Sequence, residues 1–63
     1  MFRVTTSTDV QTYPSLSQAV YFAQRWAMER RGQTVTVWDV QGGLKLKDVW
    51  WDHEQERLQG IDY

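Results

Sequence analysis

The sequence predicts one α+β domain of β-α-β-β order, in which a three-stranded sheet carries one helix packed on one face. Three observations predict it: an alternating segment at the start, one amphipathic helical stripe, and a second alternating segment around a Gly-Gly turn. The chain has 63 residues. This is the length of one small domain, 1–63.

The first strand is predicted at Phe2–Thr6, where apolar and polar residues alternate and β-branched residues are frequent. Phe2 and Val4 are expected to face inward. Residues 7–14 are rich in Ser, Thr and Asp and end in a proline, so we expect a connecting loop there.

A helix is predicted over residues 15–31. Ser15 is followed three positions later by Gln18, the spacing of a capping box in which each side chain satisfies a free backbone N–H. Gly32 suits the left-handed position that often follows a helix. The apolar stripe at helical spacing consists of Leu16, Ala19, Val20, Ala23, Trp26 and Ala27.

The second and third strands are predicted as a hairpin. Thr34–Val40 is almost wholly β-branched or aromatic, Gly42-Gly43 suits a tight turn, and Leu44–Lys47 alternates cleanly. Beyond Asp48 the pattern leaves two readings. Either the strand carries a bulge near Asp48, or the tryptophans of residues 49–51 bury on both sides of the sheet.

The C-terminal segment also allows two structures. Asp52 with Gln55 matches a helix cap, and Gly60 would end a short helix there. Alternatively, Arg57–Tyr63 forms an edge strand. We favour the short helix.

A single helix covers only one face of a sheet, so the other face is expected to be exposed. The expected core is Phe2, Val4, Leu16, Val20, Ala23, Trp26, Ala27, Val35, Val37, Leu44 and Leu46. The expected open face carries Arg3, Thr5, Thr34, Thr36, Trp38, Lys45 and Lys47.

The residue inventory predicts that the chain is not an enzyme and holds no metal or cofactor. It has no cysteine, and His53 is its only histidine. His53-Glu54 resembles the start of a zinc-protease motif, but Arg57 stands where the second histidine is required. No glycine-rich loop leads into the Lys-Ser or Lys-Thr of a phosphate-binding loop.

No leader and no apolar run of membrane-spanning length is recognisable, so the expected location is cytoplasmic, without membrane contact. The charge is divided along the chain. Residues 1–47 carry six basic and three acidic side chains, whereas residues 48–63 carry one basic and five acidic. Such a chain can pair its charges internally, with a second copy, or with another protein.

The aromatic content points to a binding surface, because four tryptophans and three tyrosines exceed what so small a core needs. The predicted function is a non-enzymatic protein–protein interaction module, an accessory, adaptor or inhibitor protein of bacterial or phage type that self-associates. Its partner is a protein or a second copy rather than a small molecule. An alternative is single-stranded nucleic-acid binding on the open sheet face. The predicted partner-binding residues are Trp38, Trp50, Trp51, Tyr21, Met28, Lys45 and Lys47.

Overall fold

The computed structural model describes residues 1–63 as one helix lying on a five-stranded antiparallel sheet. The strand order in the sheet is β2-β1-β3-β4-β5. The elements are β1 Phe2–Thr5, β2 Val10–Tyr13, α1 Leu16–Glu29, β3 Val35–Asp39, β4 Leu44–Asp52 and β5 Arg57–Asp62. The predicted α+β class is confirmed, while the prediction of three strands is wrong.

Strand β2 occupies part of the segment expected to be a loop. Thr6 organises the turn that returns the chain: its hydroxyl accepts hydrogen bonds from the backbone N–H groups of Thr8 and Asp9, at 3.2 and 2.9 Å. Val10–Tyr13 then pairs antiparallel with β1. The polar turn residues therefore close a hairpin instead of forming a long connection.

Strand β5 occupies the segment where a short helix was favoured, so that prediction is wrong and the edge-strand alternative is confirmed. Asp52 does act as a cap, since its Oδ1 accepts from the N–H groups of Glu54 and Gln55 at 2.9 and 3.2 Å. The turn then leaves the helical path at Glu56, which has a φ of 54°. A β4–β5 hairpin results.

Helix α1 begins where the capping pattern predicts and ends two residues early. Ser15 is its N-cap, and its Oγ accepts from the Gln18 N–H at 3.2 Å. The backbone N–H of Arg30 caps the other end by bonding the Trp26 carbonyl at 2.7 Å. Gly32 has the expected positive φ, 100°.

The core lies between α1 and one face of the sheet and is built of small side chains. Alanines spaced one turn apart on the helix face the sheet, so the helix backbone can approach it closely. The fully buried apolar residues are Val4, Ala19, Ala23, Ala27, Val35, Val37 and Val49. Leu16 and Leu44, which were expected in the core, are 44% and 61% exposed.

A β-bulge at Leu46 changes which face the second half of β4 presents. Trp38 pairs with Lys45, whereas the preceding residue Val37 pairs with Lys47, so Leu46 is the extra residue. Lys47 therefore lies on the helix side of the sheet, and its predicted position on the open face is wrong. A bulge near Asp48 was one of the two alternatives allowed by the sequence, and the bulge lies two residues earlier.

Candidate functional site

The sheet face opposite α1, here called the open face, is not covered by any other element. The C-terminal segment lies in the plane of the sheet as β5 and does not fold over this face. Strand alternation and the register assign side chains from all five strands, and that of Tyr63, to it. They are Arg3, Thr5, Val10, Thr12, Thr36, Trp38, Lys45, Asp48, Trp50, Asp52, Arg57, Gln59, Ile61 and Tyr63.

A polar network occupies the centre of the open face around Asp48, which is only 8% exposed. Thr36 Oγ1 donates to Asp48 Oδ1 at 2.6 Å, and Tyr63 Oη donates to Oδ2 at 2.5 Å. Lys45 Nζ lies 3.1 Å from the same Oδ2 and 4.7 Å from the centre of the Tyr63 ring. Both carboxylate oxygens are therefore satisfied within the chain.

These contacts hold Asp48 in its ionised form. Burial alone raises the pKa of Asp48, but the hydrogen bonds from Thr36, Tyr63 and Lys45, with the charge of Lys45, lower it further than burial raises it. The net pKa of Asp48 is below its ordinary value. Conversely, the Asp48 carboxylate, followed by Tyr63, raises the pKa of Lys45. The cluster is a stable ion pair supported by neutral donors.

Trp38 is anchored beside this network and remains partly accessible. Its Nε1–H donates to Thr5 Oγ1 at 3.0 Å, which fixes the indole across strands β1 and β3. The ring is partly buried rather than enclosed. Arg3 and Lys45 pair with Trp38 on its two sides, so an aromatic ring lies between two basic residues.

Trp50 lies on the same open face, further along β4, and is also partly buried. Its neighbour across the strands is Gln59 of β5. Trp51 points to the opposite face, where the guanidinium of Arg31 lies 4.1 Å from its ring centre. The two adjacent indoles therefore point to opposite faces of the sheet.

Tyr21 and Met28 lie on the outer surface of α1, away from the open face. Their side chains are 55% and 48% exposed. Tyr21 meets Phe22 edge-on at 5.2 Å, and Arg25 lies 5.9 Å from its ring centre. The seven predicted partner-binding residues therefore occupy three locations: the open face (Trp38, Trp50, Lys45), the helix side of β4 (Trp51, Lys47) and the outer helix surface (Tyr21, Met28).

The opposite charges of the two chain segments partly pair within the fold. Lys47 Nζ bonds Asp62 Oδ1 at 3.1 Å, and Lys45 bonds Asp48. Within residues 1–47, Arg30 bonds Asp9 at 3.2 Å. Internal pairing, one of the three arrangements allowed by the sequence, therefore accounts for the two lysines.

A shallow cavity of about 230 Å³ lies on the helix side of the sheet next to β5. Gln24, Lys47, Val49, Leu58, Gln59 and Gly60 line it. No three His, Asp or Glu side chains come together in an arrangement that could hold a metal ion. No helix has the length and apolar character needed to cross a membrane.

Sequence reasoning missed the network of Thr36, Asp48 and Tyr63. The only signal for it was a carboxylate between the alternating residues 44–47 and the apolar residues 49–51, and an unbroken alternation of β4 would put Asp48 on the helix side. Tyr63 gave no signal, because its approach to Asp48 depends on the unexpected β4–β5 pairing.

Comparison with known proteins gives no relative from which a function could be transferred. No protein-family model matches the sequence, no curated protein matches it, and no solved structure matches the fold.

Proposed function

We propose that this chain is a non-enzymatic protein–protein interaction module of the accessory, adaptor or inhibitor type, which docks a partner protein on its open face. One observation carries the proposal: two partly accessible indoles, Trp38 and Trp50, flank a polar centre on a sheet face that nothing covers. Tryptophan and tyrosine are the residue types that most often dominate protein interfaces.

The electrostatics of the open face support a protein as the partner. Lys45 and Asp48 neutralise one another at 3.1 Å, and all the hydrogen bonds of Asp48 are made within the chain. A partner can thus cover this centre without leaving a buried charge unpaired, which is the usual penalty in interfaces. Arg3, at the side of Trp38, makes no ion pair and remains available to a carboxylate of the partner.

The state of Asp48 supports a non-catalytic role. A carboxyl group that acts as a general acid near neutral pH has a raised pKa, whereas the pKa of Asp48 is lowered and both its oxygens are already bonded within the chain. Its donors come from two strands, β3 (Thr36) and β4 (Lys45), and from the C-terminal residue Tyr63. The network therefore serves to fix the shape of the open face.

Self-association belongs to the same proposal because the core is small. The largest fully buried side chains are four valines. Domains of this size bury only about 60% of the surface that their unfolded chains expose, so their stability often depends on a partner surface. This chain has no disulfide to replace such a surface.

Capture from an extract of the native host, with variants on two surfaces, tests the proposal. We expect one protein to be recovered with the wild type and to be reduced at least about tenfold by Trp38→Ala or Trp50→Ala, as for an interface hot spot. Tyr21→Ala and Met28→Ala, on the outer helix surface, are the matched controls and should retain it. Thermal melts show that each bait is folded. Equal recovery with all five baits would contradict docking on the open face.

Single-stranded nucleic acid is the second candidate because Arg3, Trp38 and Lys45 lie side by side on three neighbouring strands. A base could stack on the indole while the cations meet phosphates. Titration with mixed oligonucleotides at low and moderate salt separates the candidates. Affinity that falls with salt and is lost in Trp38→Ala and Lys45→Ala would favour nucleic acid. We expect no binding even at low salt, because Lys45 is already paired with Asp48.

A further inference from the structure

We propose that two copies of this chain pair antiparallel through strand β5, with Gly60 of one copy facing Gly60 of the other, so that one continuous sheet runs through both. The self-association included in the proposed function would thus take place through the β5 edge. It does not depend on the open face being a docking site. The argument rests on the backbone of β5, on the register and on the charges.

The outer edge of β5 carries unpaired backbone groups at known positions. The N–H of Tyr63 donates to the Leu46 carbonyl at 3.0 Å, so Tyr63 directs its backbone toward β4. Because these groups alternate along a strand, Leu58, Gly60 and Asp62 direct their N–H and C=O groups away from the sheet. Such an edge is a template for another strand.

Strand β5 lacks the features that normally protect an edge. It spans six residues, Arg57–Asp62, and contains no proline and no lysine. Its register with β4 continues without a shift. Natural edge strands are usually shortened, bent by a bulge or interrupted by proline to prevent pairing with other chains.

The opposite edge, β2, is a poorer template. It spans four residues, and the next residue on its outer side is Pro14, which has no N–H to donate. Tyr13 is stacked on Phe22 of the helix with ring centres 4.8 Å apart, which holds this end of the strand against α1. The two edges therefore differ, and only β5 offers a long straight pairing surface.

The positions of the outward-facing groups select the register. When Gly60 faces Gly60 of the second copy, Leu58 faces Asp62, and each of these outward-facing pairs can exchange both backbone hydrogen bonds. A register centred on Gln59 would instead pair Leu58 with Gly60 and bring Glu56 opposite Asp62. Like charges directly opposite are destabilising, and Glu56 already belongs to the turn, with a φ of 54°.

The symmetric register also matches side chains on the open face. Arg57 of one copy faces the exposed Tyr63 of the other, a cation beside an aromatic ring. Ile61, 48% exposed in one copy, faces Gln59 of the other. The two-fold axis is perpendicular to the sheet. Both open faces therefore lie on the same side of the dimer and form one surface.

Disulfide trapping between two single variants tests the register directly. The chain has no cysteine, so Gln59→Cys and Ile61→Cys each introduce the only thiol. In the proposed dimer, positions 59 and 61 of opposite copies form a non-hydrogen-bonded pair with Cα atoms about 4.5 Å apart, within disulfide range. Under mild oxidation, we expect a cross-linked dimer from an equimolar mixture of the two variants.

Each variant oxidised alone is the control, because position 59 meets its own counterpart only in the register centred on Gln59. Likewise, position 61 meets its counterpart only in a register centred on Ile61. We expect at most about a tenth of the mixture's cross-linking rate from either variant alone, consistent with the strict distance requirement of a disulfide. Equal cross-linking alone and in the mixture would overturn the register.

A proline substitution tests the backbone pairing in solution. Asp62→Pro removes an outward-facing N–H while leaving the N–H groups that bond β4 in place, and Asp62→Ala is its control because it loses only the carboxylate. In sedimentation velocity over a dilution series, Asp62→Pro should raise the dimer dissociation constant at least about tenfold relative to Asp62→Ala. A monomeric wild type, or equal constants for the two variants, would overturn the proposal.

The two proposals fail in different experiments. If β5 pairing is wrong, Trp38→Ala still loses the captured partner while the wild type sediments as a monomer. If docking on the open face is wrong, the mixed cysteine variants still cross-link while capture does not depend on Trp38.

Discussion

Tyr63 bonds Asp48 through its phenolic oxygen at 2.5 Å, and in this way ties the residue after β5 to the middle of β4. The same residue bonds Leu46 through its backbone N–H. A single residue thus contributes to the polar centre of the open face and to the alignment of the β5 edge. Its removal should affect both the stability of the fold and the ionisation of Asp48.

We predict that Tyr63→Phe lowers the free energy of unfolding by about 1.5–3 kcal/mol, the range for a hydrogen bond to a charged group. The ring is retained, so the contact with Lys45 remains and the change isolates the hydroxyl. Urea denaturation at neutral pH measures the effect. Tyr13→Phe is the control, because its ring keeps the stack on Phe22 and it donates nothing to Asp48. Equal losses of unfolding free energy for the two variants would contradict a specific contribution of the hydrogen bond from Tyr63 to Asp48.

The lowered pKa of Asp48 predicts how stability depends on pH. An acid whose pKa is lower in the folded state stabilises the fold above its ordinary pKa of 3.8, and this contribution is lost as the pH falls from there through the folded pKa. Asp48→Asn should therefore be less stable than the wild type at neutral pH, and the difference should narrow below about pH 4. Denaturant titrations at several pH values measure it. A constant difference would contradict an ionised Asp48.

We predict that Gly60→Ala destabilises the protein by about 1–3 kcal/mol, the usual cost of overpacking. A Cβ at position 60 would lie 3.0 Å from the Asp48 carbonyl oxygen, a backbone atom that cannot move without disturbing β4. Gly42→Ala is the matched control: its Cβ would have no neighbour closer than 3.6 Å. Thermal unfolding should show a lower midpoint for the first variant and little change for the second.

The bond between Trp38 and Thr5 predicts an energetic coupling between β1 and β3. Trp38→Phe removes the Nε1–H donor, and Thr5→Val removes the acceptor at 3.0 Å. In a double-mutant cycle on the free energy of unfolding, we expect a coupling of about 0.5–1.5 kcal/mol. The pair Trp38→Phe and Thr12→Val is the control, since Thr12 lies on β2 and makes no bond to the indole. Additive effects in the first cycle would contradict the bond.

The elements that were predicted correctly are those whose capping residues and apolar pattern all lie within one short stretch of sequence. The helix has its cap at Ser15 and its alanine stripe within one segment, and β3 alternates without interruption. β2 was missed because its four residues are too few to establish a period beside a turn and Pro14. The short helix was favoured over the edge strand that became β5 because Asp52 makes the same cap bonds in a hairpin turn as in a helix.

The arrangement of the open face could be predicted only in part. Trp38 and Lys45 were placed correctly because they lie on the turn side of the bulge, where the simple alternation holds. Lys47 was misplaced because Leu44–Lys47 alternates perfectly in sequence while the structure inserts Leu46 as an extra residue. The polar centre depends on contacts between residues 15 positions apart, which local patterns do not contain.

The extra residue at Leu46 decides which side of β4 faces water beyond it. In a chain lacking that residue, Asp48 and Trp50 would turn toward the alanines of the helix while Val49 would turn outward. Whether the number of residues between the hairpin turn and Asp48 is odd or even therefore determines which side chains in the second half of β4 face the helix and which face water. Insertions or deletions between Gly43 and Asp48 should be tolerated in twos far better than singly.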